Sequence, residues 1–143
     1  MTHEDAGHYA KKHKGQQPDE RAACILKKKS NQGKISCAAA HAAAKELGIT
    51  PAEAGIQADL LELRLTKCSL GLFGYEPNWT ILQKDLPVSE ELNTAIDAVS
   101  KDGRITCAAC WKIAERLKMK KTDISSACEK KGLKIKKCQL GAF

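Results

Sequence analysis

The chain has 143 residues, a net charge of +7, seven cysteines and only two each of Phe, Trp and Tyr. So few rings exclude a core of large aromatics and leave Ala, Leu, Ile and Cys, which fill close-packed helices and in the case of Ala favour helix on propensity alone. No run approaches the roughly 18 apolar residues of a membrane span, and Met1-Thr2-His3-Glu4-Asp5 holds no apolar signal-peptide core; a cytoplasmic protein without membrane contact, its odd number of thiols reduced, is the expectation.

Residues 1–17 are polar and basic, carrying His3, His8 and His13 with Lys11, Lys12 and Lys14, and show no hydrophobic period. They are expected to form a mobile basic tail. Histidines five residues apart fall on different sides of a helix and make a poor preformed metal site. Asp19 then caps a first helix over about 19–31, which ends before Gly33. Lys34-Ile35-Ser36 has a β-branched centre suited to a brief strand, and Ser36 caps a second helix over about 37–47. Thr50-Pro51-Ala52-Glu53 is a capping box with proline at the first helical position, so a third helix starts there and reaches about Glu62. The segment 63–68, Leu-Arg-Leu-Thr-Lys-Cys, alternates apolar with polar as a half-buried strand does.

After Phe73 the pattern returns. Gly33–Phe73 matches Gly103–Phe143 without a gap at an offset of 70, with identities that include Cys37/Cys107, Ala44/Ala114, Leu47/Leu117, Cys68/Cys138, Leu70/Leu140 and Phe73/Phe143. Ser89 stands 70 residues after Asp19, and Leu92, Ile96 and Val99 form the apolar stripe of the corresponding first helix. The equivalent third helix is expected from Thr122 to just before Gly132. The chain therefore reads as mostly α with short β-strands: a tail over 1–17, a first module over 18–73, a linker over 74–88 with Pro77 and Pro87, and a second module over 89–143. Trp79 is expected to anchor the linker on a module.

Each module runs helix, strand, helix, turn, helix, strand. Ala43-Ala44-Lys45-Glu46-Leu47-Gly48-Ile49 followed by Thr50 resembles a helix-turn-helix core, and Ile113-Ala114-Glu115-Arg116-Leu117-Lys118-Met119 matches it except that Lys118 replaces the turn glycine. With the flanking strands the chain resembles two tandem winged-helix three-helix modules related by internal duplication. That resemblance implies DNA binding, with the third helix in the major groove, as in a transcriptional regulator. The copies differ on this point. The first third helix holds Glu53, Asp59 and Glu62 and no cation, which suits an interface for a second copy or a protein partner. In the second, Arg116, Lys118, Lys120 and Lys121 precede or open the helix and Lys130, Lys131, Lys134, Lys136 and Lys137 close or follow it, an excess of positive charge of the kind a polyanion binder carries. With Thr122 early in the same helix, the resemblance places Ser125, Ser126 and Lys130 toward the groove, with the remaining cations on phosphates.

Cysteines recur at equal spacing, Cys37 with Cys68 and Cys107 with Cys138, and the second copy adds Cys110 and Cys128. Cys110 and Cys128 stand where the first copy has Ala40 and Ala58, which favours packing as small hydrophobes over any cofactor. The alternative is a metal or redox sensor or carrier: zinc or an iron–sulfur cluster on Cys107, Cys110, Cys128 and Cys138, or a redox pair of Cys37 with Cys68. No phosphate-cradling glycine loop, metalloprotease helix or serine elbow occurs, so no enzyme is expected.

Overall fold

A computed structural model of the protein describes residues 8–83 and 85–143. His3 and the rest of the first seven residues lie outside the described residues. The chain is mostly helical, with four strands of three residues each. It contains α1 (Glu20–Lys29), β1 (Lys34–Ser36), α2 (Cys37–Leu47), α3 (Pro51–Leu60) and β2 (Arg64–Thr66), then α4 (Glu90–Val99), β3 (Arg104–Thr106), α5 (Cys107–Leu117), α6 (Lys121–Lys130) and β4 (Lys134–Lys136). Every element of the second set begins and ends 70 residues after its counterpart. No helix among the described residues is long and apolar enough to cross a membrane.

The caps follow from the sequence. Asp19, Ser36, Thr50, Ser89 and Thr106 each accept a hydrogen bond from the amide three residues on, satisfying a donor that the first helical turn leaves open. Lys120 occupies the position of Thr50 and supplies no side-chain cap, so α6 starts on backbone geometry alone. Both α2 and α5 end on a left-handed residue, Gly48 at φ 71° and Lys118 at φ 54°.

The strands pair in parallel, β1 with β2 and β3 with β4, in the registers Ile35 with Leu65 and Ile105 with Ile135. The strand after the third helix thus runs beside the strand before the second, and neither pair forms a hairpin. Parallel pairing needs a crossover between its strands, and here the two helices of the turn provide it.

The chain divides into two compact units, but not at the expected boundaries. One unit takes the chain through Cys68 together with Gln139–Phe143; the other is Ser69–Cys138. Residues 69–73 belong to the second unit and 139–143 to the first, which moves the module ends expected at 73 and 143. The reason is local. In the first unit Leu140 is buried and its carbonyl lies against Gly55, where a Cβ would stand 1.8 Å from the Leu140 oxygen. In the second, Leu70 is buried and its carbonyl accepts a hydrogen bond from the hydroxyl of Ser125, the residue equivalent to Gly55.

The expected tail and linker are also docked segments. Tyr9–Lys12 forms a 3-10 turn with Tyr9 buried, and the Tyr9 and Ala10 amides donate to Glu62 at 3.0 and 2.9 Å. His13 reaches Asp59 at 2.7 Å, and Lys12 pairs with the same oxygen at 3.2 Å. Mobility of the whole of 1–17 is thereby corrected for 9–13: apolar burial of Tyr9 and charged partners on α3 outweigh the polar composition. In the second unit the Ile81 amide bonds to the Gly71 carbonyl at 3.0 Å, the Gln83 amide donates to Ser126 at 2.9 Å, and Trp79 packs its ring 6.2 Å from Phe73.

Candidate functional site

The basic stretch of the second unit starts at the exposed face of α5. Lys112 and Arg116 lie one turn apart there and rim a shallow cleft floored by Val99, Ala109 and Ile113. Lys118 and Lys120 occupy the turn between α5 and α6, both exposed. At the other end of α6, β4 presents Lys134 and Lys136 outward while Ile135 faces inward, and Lys137 follows, exposed, at φ 54°. A ten-residue helix spans about 15 Å, and α6 separates these two cationic groups along the chain.

Not every expected cation is available. Lys121 lies with its ammonium 4.5 Å above the Trp111 ring, a cation–π contact. Lys131 pairs with Asp97 at 3.0 Å and with the Asn93 side chain. The Lys130 ammonium approaches the Leu86 carbonyl at 3.4 Å, its stem still exposed. Arg116, Lys118, Lys120, Lys134, Lys136 and Lys137 are exposed, and none of them pairs with a carboxylate among the described residues. Register adds a cation that sequence reasoning missed: Arg104, exposed on β3, stands opposite Lys134. Strand pairing was the missing signal, because Arg104 is 30 residues from Lys134 in the chain.

The expectation for α6 itself is corrected. Ile124 to Cys128 are buried without interruption, with Ser125 only 1% and Ser126 2% exposed. Ser125 donates to the Leu70 carbonyl, and Ser126 donates to the Thr122 carbonyl at 2.7 Å and accepts from Gln83. Thr122 is half-buried, near Gly71. The docked tail and the segment ending at Gln83 occupy the face that would have to enter a groove, so Ser125 and Ser126 have no access to base edges. On the first unit, Asp59 of α3 and Glu62 just beyond its end hold the N-terminal segment.

Among the cysteines, Cys110 on α5 and Cys128 on α6 are fully buried, and these two helices pack on one another; the Cys128 side chain pushes the Cys110 thiol above its ordinary range, and Cys110 in turn lowers Cys128. Cys107 is buried one turn earlier and Cys138 is half-buried. The described residues contain no group of three His, Cys, Asp or Glu side chains set to hold a metal ion. Cys37 and Cys68 are both buried at the outgoing end of the β1–β2 pair, where Ser36 stands opposite Thr66. Cys24 is exposed on α1.

Compared with protein-family models, with curated proteins and with solved structures, the chain finds no match in any of the three.

Proposed function

We propose that the chain binds duplex DNA through its phosphates, by the exposed cations of the second unit, without reading bases through α6. Arg116, Lys118 and Lys120 at one end of α6 and Lys134, Lys136 and Lys137 at the other are the contacts, with Arg104 and Lys112 beside them. A duplex carries one charge per about 1.7 Å of axis, so the span of α6 faces on the order of nine phosphate charges.

The observation that carries this reading is where the lysines stand. Lys118 takes the left-handed position that Gly48 fills in the first unit, and Lys120 takes the capping position of Thr50. Neither lysine serves the fold there. Among the described residues neither charge pairs with a carboxylate, and unpaired surface cations attract a polyanion. Phosphate contacts fix position without sequence information, whereas base contacts specify; a buried α6 leaves the former. The role that follows is architectural DNA binding in place of operator recognition.

The test is titration of the reduced protein with several unrelated duplexes of equal length. Affinities agreeing within a few fold across sequences, and falling steeply with salt, are expected. A preference above about a hundredfold for one sequence would overturn backbone binding, and no binding at low salt would overturn DNA as the ligand.

A further inference from the structure

The two units finish one place in their scaffold differently. In the first, Lys29 at the end of α1 and Glu46 near the end of α2 pair at 3.3 Å. Seventy residues on, the same positions hold Val99 and Arg116, which cannot make that bond. Val99 is left 48% exposed, and Arg116 pairs with no carboxylate among the described residues. Lys112 adds a second cation where the first unit has Ala42.

These side chains surround the shallow cleft on α5. Ala109, Lys112, Ile113 and Arg116 stand at i, i+3, i+4 and i+7, so one face of the helix carries an apolar floor flanked by two cations. Val99 closes one side from the end of α4. Thr106 also lines it; its hydroxyl accepts from the Ala109 amide at 3.1 Å and keeps a proton to donate. The cleft has a volume of about 320 Å³, and none of the described residues lining it is acidic. Clefts that hold small molecules run from about 300 to 1,000 Å³, so a ligand of modest size matches this one. Exposed apolar surface gains by being covered and an unpaired guanidinium gains by meeting an anion, and one molecule does both when an apolar body ends in an acid group.

We propose that this cleft binds a small amphipathic carboxylate, an alkyl or aryl acid of about eight carbons, its body against Val99, Ala109 and Ile113 and its acid group on Arg116 and Lys112. The planar guanidinium of Arg116 suits a bidentate grip on a carboxylate, and Lys112, one turn earlier, supplies a second charge. The site does not depend on DNA binding. It does draw on Arg116, so bound acid would remove one of the phosphate contacts proposed above.

The experiment titrates the full-length protein with octanoate in the absence of DNA and follows backbone amide shifts by two-dimensional NMR. Saturable shifts concentrated at Val99 and along 106–116 are expected. The affinity should exceed by at least about tenfold that for acetate, which lacks the body, and that for octanol, which lacks the charge. From hexanoate to octanoate each methylene should raise affinity by up to about fourfold. Val99→Lys with Arg116→Glu installs the residues of the first unit's ion pair and should weaken octanoate binding by at least about tenfold, with a urea midpoint to check folding. Arg116→Gln, which removes the charge alone, should lose about tenfold even where the double variant is destabilised. No saturable shift at about 10 mM octanoate overturns the proposal. Equal affinity for octanoate and acetate, or for octanoate and octanol, overturns an amphipathic ligand, and shifts at 134–137 in place of 106–116 overturn the location. Octyl phosphate binding more than about tenfold tighter than octanoate overturns the carboxylate in favour of a phosphate ester.

Discussion

Replacing Lys134, Lys136 and Lys137 together by glutamine perturbs half of the six cations assigned as phosphate contacts and leaves the fold in place. Ile135, the inward residue of β4, is retained, and so is the backbone pairing of β4 with β3. Each phosphate neutralised on a duplex contributes about −0.9 to the slope of log K against log salt, so six contacts give a slope of about −5.4. From about 50 to 200 mM salt that is an affinity loss of about 2,000-fold. The triple variant should show a slope of about −2.7 and lose only about 40-fold over the same range. Fluorescence anisotropy of a labelled duplex at four salt concentrations measures both slopes, and a urea midpoint on each protein separates charge from stability. Lys131→Gln is the internal control, since Lys131 is already paired with Asp97 and should shift the slope far less than one exposed lysine does. An unchanged slope in the triple variant, or a wild-type slope shallower than about −2, would refute the assignment of these residues to phosphates.

Gly55→Ala places a methyl 1.8 Å from the Leu140 oxygen and 2.6 Å from its carbon, both backbone atoms, and should destabilise the protein in urea by at least about 1–3 kcal/mol. Ser125→Ala removes the donor to the buried Leu70 carbonyl and should cost about 1–3 kcal/mol while leaving DNA affinity and its salt slope unchanged; a lost slope would restore α6 as a contact surface. The double change Lys118→Gly with Lys120→Thr should stabilise the protein by about 1–2 kcal/mol by relieving a left-handed lysine and supplying a cap, and should reduce the salt slope by about 1.8, both read on the same sample. Glu62→Ala removes the acceptor for the Tyr9 and Ala10 amides, so limited proteolysis should cut between Lys11 and Lys14 several-fold faster than in the parent, and an unaltered rate would count against docking through Glu62.

Much of the fold was legible because it is local. A side-chain oxygen before an apolar period marked the starts of α1 to α5, and the triplets at 34–36 and 104–106 read as strands from their β-branched centres. Lys120 lacks the capping oxygen of Thr50, and α6 opens at Lys121, one residue before the expected Thr122. What the sequence hid depends on contacts far apart in the chain. Parallel pairing leaves the same alternation as a hairpin strand does, and the exchanged tails look identical whichever unit they join. The helix-turn-helix resemblance puts Ser125 and Ser126 toward a groove, yet both are buried and backbone carbonyls satisfy them. Two signals were present nonetheless. Gly55 sits inside a helix with no turn to explain it, the mark of a close backbone approach. Tyr9 lies 70 residues before Trp79, so the offset already linked the basic tail to the linker, both of which turn out to be packed.

The two units hold the same elements with different residues, which separates the demands of the fold from the rest. The fold requires Ile35 and Ile105, Leu70 and Leu140, and small residues where the second and third helices cross, and both units supply them buried. It gains nothing from positive charge at 116, 118, 120 or 136, because the first unit holds Glu46, Gly48, Thr50 and Thr66 there and folds the same elements. At two of these positions the lysine is the worse choice locally: a left-handed lysine costs about 1–2 kcal/mol relative to glycine, and an absent cap about 1 kcal/mol. Stability of a small unit is only several kcal/mol in total, so two such substitutions are a material fraction of it. The first unit carries exposed cations too, Lys27, Lys28, Lys34, Lys45 and Lys67 among them, so what distinguishes the second is positive charge at 116, 118, 120 and 136, the placement on which the proposed phosphate contacts rest.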